Sequence, residues 1–203
     1  MKKVHQQELN EFLFTNKDKM NFDFVEASLN RLDIKVKTIG LENVPVKGKV
    51  TIAANQPIGG PEGLGMMKVV GEVRKDITFL TNDILMGIPN LKELFTPVNK
   101  HGSNVENANL FKQAFQSDKA VLIFPAGLVS RKQEGKIEDL IWKSSYISRA
   151  QKYDRTIVPC FIDGRNSNFF YNLAHWRTRL GIKSNIEMFL LPDEMFKHQG
   201  KTI

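Results

Sequence analysis

The feature that most constrains the fold is a regular alternation of two hydrophobic periods along the chain. From Ile34 onward, short runs of β-branched and aromatic residues are separated by longer stretches in which apolar residues recur every three or four positions. Alternation of this kind favours a largely parallel sheet that is flanked by helices on both faces. The sequence therefore predicts a three-layer α/β domain.

The two periods also place the individual elements. The predicted strands are residues 34–39, 50–54, 77–80, 121–124, 156–162 and 186–191. The predicted helices between them are residues 62–73, 105–116, 139–152 and 167–180. Two short amphipathic helices, 8–14 and 22–32, precede the first strand, so residues 1–33 form a helical N-terminal segment.

Length and composition indicate a single globular domain over residues 1–203. Hydrophobic residues make up 41% of the chain and charged residues 25%, which excludes a disordered chain and a polytopic membrane protein. No apolar run approaches the roughly twenty residues that span a bilayer, and the N-terminus lacks a signal-peptide core. The single cysteine, Cys160, lies in an apolar run typical of a buried structural thiol. These observations predict a cytoplasmic protein.

The charge of the chain indicates an anionic partner. Lysine and arginine number 29 against 22 aspartate and glutamate residues, a formal net charge of +7. Nucleic acid, anionic lipid head groups and phosphorylated co-substrates all satisfy this balance. The basic residues are scattered and accompany no nucleic-acid-binding motif, so we do not expect nucleic acid as the partner.

Loops rich in Gly, Asn and Pro follow three of the predicted strands, at residues 55–63, 125–131 and 163–168. In open α/β sheets, ligands bind at the carboxyl ends of strands. In the first loop, glycines allow close backbone approach to a ligand, and Glu62 lies where a helix begins. The alternative role of Glu62, which requires no ligand, is that of a favourable negative charge in the first turn of that helix.

The loop at residues 55–63 resembles the first motif of the 1-acylglycerol-3-phosphate acyltransferase superfamily, in which Asn-His-Pro opens a loop closed by Asp-Gly. Gln56 occupies the histidine position and Glu62 the aspartate position. In that superfamily the histidine takes the proton from the acceptor and the acid supports the imidazole. The resemblance therefore assigns Gln56 and Glu62 to the catalytic centre, although a glutamine amide is not basic near neutral pH.

Two further blocks extend the resemblance. Residues 79–86 and 97–102 resemble the second block of the superfamily, with Lys100 where a phosphate-binding arginine is usual. Residues 122–131, the third block, resemble the Phe-Pro-Glu-Gly motif of the superfamily, with Ala126 at the glutamate position. Together with the downstream sequence, the Phe-Pro-Ala-Gly-Leu form is most similar to a haemolysin-related bacterial branch implicated in membrane lipid and acylated amino-acid synthesis.

The resemblance implies a set of residues that contact the substrates, most of them at phosphate groups: Asn55, Gly59, Gly60, Lys100, Gly127, Ser130, Arg131 and Arg165. Structural salt bridges are the alternative for the arginines, and an exposed loop position is the alternative for the lysine. The polar residues 166–168 fit helix capping. Residues 169–179 combine aromatics with cations, which suits either contact with anionic lipid or core packing.

The function implied by the resemblance is acyl transfer from an acyl-carrier protein or coenzyme A thioester. The acceptor is a lysolipid, a glycerol phosphate or an acylated amino acid, and no metal or other cofactor is needed. We expect Gln56 to impair the reaction, the amides of the glycine-rich loop to stabilise the oxyanion, and the protein to lie at the inner face of the membrane. The alternative is an inactive descendant that binds lipid, acyl donor or a partner enzyme. The similarity also predicts a C-terminus shorter than is usual in the family.

Overall fold

The computed structural model describes residues 5–82, 85–98 and 105–203. Its centre is a five-stranded sheet formed by β1 (Val50–Ala54), β2 (Ile77–Thr81), β3 (Phe95–Pro97), β4 (Ala120–Ile123) and, later in the chain, β7 (Thr156–Cys160). The strand order is β3-β2-β4-β1-β7, and each neighbouring pair is parallel. The two remaining strands, β5 (Arg131–Gln133) and β6 (Lys136–Glu138), form a separate antiparallel hairpin.

Helices flank this sheet on both faces. They are α1 (Gln6–Thr15), α2 (Asn21–Arg31), α3 (Pro61–Val73), α4 (Val105–Gln116), α5 (Ser145–Lys152), α6 (Asn168–Arg179) and α7 (Leu191–Phe196). Short 3-10 helices occupy Leu41–Asn43, Leu85–Gly87, Pro89–Leu94 and Ile186–Leu190. The three-layer α/β prediction is confirmed.

The core lies on both sides of the sheet because successive strand residues point to opposite faces. On β1, which is buried along its whole length, Ile52 packs in the cluster that α2 and α3 cover. Its neighbour Ala53 packs in the opposite cluster, with Phe115 of α4 and Tyr146 of α5. Because β1 is buried on both faces, polar side chains can reach a substrate only at its ends. Its carboxyl end leads into residues 55–63, the first-motif loop.

Two predicted strands are wrong. In residues 34–39, only Lys35 forms a bridge, with Thr202, and hydrogen bonds join this segment to residues 201–203 rather than to the sheet. Residues 186–191 form a 3-10 helix that continues into α7, whose first turn contains Pro192. Proline fits the first turn of a helix because the N–H that it lacks would have no intrahelical partner there.

Two other differences affect the candidate site. Residues 131–138, where no strand was predicted, form the β5–β6 hairpin, with Glu134 and Gly135 at its turn. Both turn residues have positive φ, 47° and 84°, as a type I′ turn requires. The helix predicted from residue 139 begins instead at Ser145, which leaves Asp139 and Trp142 in a loop. No helix within the described ranges is long and apolar enough to cross a membrane.

Candidate active site

The loop after β1 is held in shape by the carboxylate of Glu62, in the first turn of α3. Its Oε1 accepts the N–H groups of Ile58, at 3.0 Å, and of Gly59, while Oε2 accepts the N–H of Gly60 at 2.7 Å. Glu62 is fully buried, and burial raises its pKa while the N–H donors oppose that shift. The expectation that these amides stabilise an oxyanion is wrong, because their hydrogens bind Glu62.

The same loop needs glycine at position 59. Gly59 has φ +105°, a conformation that L side chains rarely adopt. A Cβ atom there would lie 2.8 Å from Cγ2 of Val129 and 2.9 Å from Cδ2 of Leu191. The loop at residues 55–63 therefore packs closely against Val129, near the end of the third block, and against Leu191 of α7.

Both backbone polar groups of Gln56 form hydrogen bonds, the N–H with Asp139 and the carbonyl with Ser130. Its N–H donates to Oδ1 and Oδ2 of Asp139, each at 3.2 Å. Its carbonyl accepts the N–H of Ser130 at 2.8 Å, with the Ser130 hydroxyl at 3.1 Å. The side chain of Gln56 is partly exposed, and its amide has no hydrogen-bond partner within residues 5–82, 85–98 and 105–203. The residue at the position of the family's base therefore has a fixed backbone and an uncommitted side chain.

Asp139 is the residue that sequence reasoning missed. Besides the N–H of Gln56, its carboxylate accepts the Ser130 hydroxyl at 2.5 Å and the Trp142 indole N–H at 2.9 Å. One carboxylate thus joins the first motif, the third block and the segment before α5. The signal in the sequence was the Asp-x-x-Trp spacing soon after the third block, which was instead assigned to a helix.

Two asparagine side chains hold the loop after β7 against the loop after β1. Asn55 donates to the carbonyl of Ile162 at 2.9 Å and accepts its N–H at 2.6 Å. Asn166 donates to the carbonyl of Ile58 at 2.8 Å. The three predicted loops therefore meet at the carboxyl edge of the sheet, and the Asn55 amide binds backbone there rather than facing a substrate.

Arg131 has the structural role that was the alternative for it. It is buried, pairs with Glu187 at 2.9 Å and lies over the ring of Phe170. Glu187 is fully buried and also pairs with Arg177, at 2.8 Å. Burial lowers the pKa of Arg131, and Glu187 opposes that shift. Its guanidinium is committed to this cluster and is not presented to a phosphate.

The remaining candidates differ in their surroundings. Arg165 is exposed and donates to Oδ1 of Asn168 at 2.8 Å. Gly127 lies in the turn after β4 with φ +67°, and Lys100 lies outside the described residues. Ser167 caps α6 by accepting the N–H of Phe170, as predicted. Within the described ranges, no group of three or more His, Cys, Asp or Glu residues is arranged to hold a metal ion.

Comparison with known proteins identifies the family of the chain. The family model described as acyltransferase matches residues 1–203. The chain belongs to this acyltransferase family. This chain is 44% identical over 201 residues to a lyso-glycine lipid O-acyltransferase of Phocaeicola vulgatus. The match covers 98% of this chain and 72% of the relative. A lyso-glycine lipid O-acyltransferase of Bacteroides thetaiotaomicron is also 44% identical, with 98% and 74% covered. No solved structure matches the chain significantly.

Proposed function

We propose that this chain transfers a fatty acyl group from a thioester to a hydroxyl of a lysolipid, with a lyso-glycine lipid as the first acceptor to test. The observation that carries the proposal is the 44% identity over 98% of the chain to two lyso-glycine lipid O-acyltransferases. The junction of the three loops at the carboxyl edge supports a site there, because substrates of α/β proteins bind at that edge.

In the proposed reaction, the acceptor oxygen attacks the thioester carbonyl and the C–S bond of the tetrahedral intermediate breaks. The acceptor proton leaves with the thiolate, so the products are an ester and a free thiol. Gln56 can hold the acceptor hydroxyl through its amide but cannot take the proton near neutral pH. Loss of a general base lowers a rate by roughly 10²–10⁴-fold, so the native chain is a slow transferase.

The donor in this proposal is an acyl-carrier protein or coenzyme A thioester, and the acceptor is reached from an anionic membrane surface. The net charge of +7 supports such a surface, and so do large exposed side chains in residues 176–189. Trp176 is 56% exposed, Leu180 72% and Phe189 74%. Binding to vesicles that contain anionic lipid should weaken as salt screens the attraction, and equal binding to neutral vesicles would contradict it.

A thioester-consumption assay tests the function directly. The native chain is incubated with a long-chain acyl donor, either carrier protein or coenzyme A, and release of free thiol is followed with and without lyso-glycine lipid. We expect slow release that depends on the acceptor and yields a diacylated product. Release that is independent of the acceptor would contradict transfer.

The second candidate is a binding protein without catalytic activity. It is favoured by the combination of a non-basic residue at position 56 and a Glu62 whose two oxygens already bind three backbone N–H groups. In that case the chain binds acyl donor or lysolipid with no acceptor-dependent thiol release. Binding measured in the same samples separates this candidate from a misfolded preparation.

A further inference from the structure

An open cleft lies beside the candidate active site, between the β5–β6 hairpin and the start of α6. It has a volume of about 490 Å³, within the range of small-ligand sites. Lys132 and Ile137 line it from the hairpin, where they are directly paired across the two strands. Arg165, Asn168 and Tyr171 line it from the opposite side. The cleft thus combines two cations with polar and apolar groups.

The two cations in this cleft differ from three other arginines of the chain, which are paired with carboxylates. Arg74 pairs with Asp76, and both Arg131 and Arg177 pair with Glu187. Within the part of the chain that the structure describes, Lys132 and Arg165 form no salt bridge, and no Asp or Glu lines the cleft. Their charges are therefore available to a ligand.

Two further contacts prepare the site. The Tyr171 side chain is buried, and its hydroxyl oxygen accepts the N–H of Asn166 at 2.9 Å. That bond fixes the Tyr171 ring at the wall of the cleft. The carbonyl of Arg165 is held by a ring nitrogen of His198 at 3.1 Å, which fixes the backbone that carries the guanidinium.

The cleft is joined to the first-motif loop. Asn166, next to Arg165 in the chain, donates to the carbonyl of Ile58, two residues after Gln56. The hairpin begins at Arg131, directly after Ser130, which hydrogen-bonds the backbone of Gln56. A ligand in the cleft is thus held by the same loops that place residue 56.

We infer that this cleft binds the anionic group of a co-substrate, a carboxylate or a phosphate, through Lys132 and Arg165. This inference rests on the proposed function. A guanidinium suits both groups because its parallel N–H donors match paired oxygens. The carboxylate belongs to an acceptor of the acylated-glycine type, and the phosphate belongs to the acyl donor.

Calorimetric titration of the native chain with two pairs of soluble probes tests the inference and identifies the source of the anion. N-octanoylglycine and N-octanoylglycinamide differ only in the acceptor carboxylate, while 4′-phosphopantetheine and pantetheine differ only in the donor phosphate. We expect at least one anionic probe to bind about tenfold more tightly than its neutral counterpart, since hydrogen bonds to charged groups stabilise more than neutral ones. The pair that shows the preference identifies the source.

The double variant Lys132→Ala/Arg165→Ala should remove that preference without changing the affinity of the neutral probe. The matched control, Lys136→Ala/Lys152→Ala, removes two exposed lysines outside the cleft and should retain it. Native protein with no preference for either anion overturns the inference, as does an unchanged preference in the cleft variant or an equal loss in the control.

The thioester assay separates this inference from the function on which it rests. Discriminating binding without acyl transfer would remove the proposed function and leave the cleft as an anion site. Acyl transfer by the native chain, together with an unchanged anion preference in the cleft variant, would support the proposed function and overturn the assignment of the cleft. Circular dichroism of each variant establishes that a lost preference does not reflect unfolding.

Discussion

Replacing Asp139 tests the junction on which the candidate active site is built. In Asp139→Asn, the less costly orientation places the new NH₂ group toward Ser130 and keeps the oxygen toward Trp142 and the N–H of Gln56. The Ser130 hydroxyl then donates to the Gln56 carbonyl, 3.1 Å away, and accepts from the new amide. The variant loses the negative charge, but the donors of Gln56, Ser130 and Trp142 each keep an acceptor.

The magnitude follows from these bonds. The Gln56 and Trp142 N–H groups donate to a charged acceptor in the native chain and to a neutral one in Asp139→Asn. This change should lower the free energy of unfolding by about 1–2 kcal/mol, while Asp139→Ala, which removes every acceptor, should lower it by about 3 kcal/mol. Asp139 is partly exposed, so the loss in Asp139→Asn should lie near about 1 kcal/mol, the lower end of its range.

Urea unfolding followed by tryptophan fluorescence measures both effects. Glu138→Gln, an exposed neighbour with the same loss of charge, is the matched control and should change stability by less than about 0.5 kcal/mol. Asn and Ala variants that both match this control would refute the assigned role of Asp139. An Asn variant as damaging as Ala would refute the switch of the Ser130 hydroxyl.

Three further predictions concern other parts of the site and core. Gly59→Ala places a Cβ atom 2.8 Å from Val129 at a positive φ, whereas in Gly135→Ala, also at a positive φ, the added Cβ meets no atom within 4 Å. The urea midpoint of Gly59→Ala should therefore fall further than that of Gly135→Ala, and equal shifts would contradict this. Glu187→Gln leaves Arg131 and Arg177 buried without a counter-charge and should cost about 3 kcal/mol of unfolding free energy; a change within about 0.5 kcal/mol would show that the cluster is not coupled. Burial raises the pKa of the Cys160 thiol, so less thiolate is present at a given pH. Its alkylation by iodoacetamide should rise with pH at a higher midpoint than that of glutathione, and an equal or lower midpoint would refute the burial.

Four of the five strands of the sheet could be predicted from the sequence because they are apolar runs of four or five residues, whereas β3 (Phe95–Pro97) was missed because it has only three residues. Residues 186–191 misled the prediction because a short apolar run does not distinguish a strand from a buried helical turn. Tertiary contacts decide the structure of this segment, because Glu187 pairs with Arg131 of the hairpin and with Arg177 of α6. The hairpin was missed because Glu134-Gly135 is a weaker turn signal than Asn-Gly.

The candidate site divides in the same way. The positions of Gln56, Glu62 and Ser130 at the carboxyl edge follow from strand ends and motif resemblance. Hydrogen-bond partners do not, since they depend on how the loops fold over one another. The role of Asp139, 83 positions from Gln56, and the use of the glycine-loop amides by Glu62 both required the structure.

The measurement that tests the central claim most directly is the rate of acceptor-dependent acyl transfer by the native chain and by Gln56→His. The account predicts slow transfer by the native chain and an increase of roughly 10²–10⁴-fold when an imidazole replaces the amide on the same fixed backbone. The gain should appear as pH rises through the histidine pKa, near 6.5 in the absence of other influences. Rapid transfer by the native chain, with no gain in the folded variant, would show that residue 56 does not limit the reaction and would contradict the account.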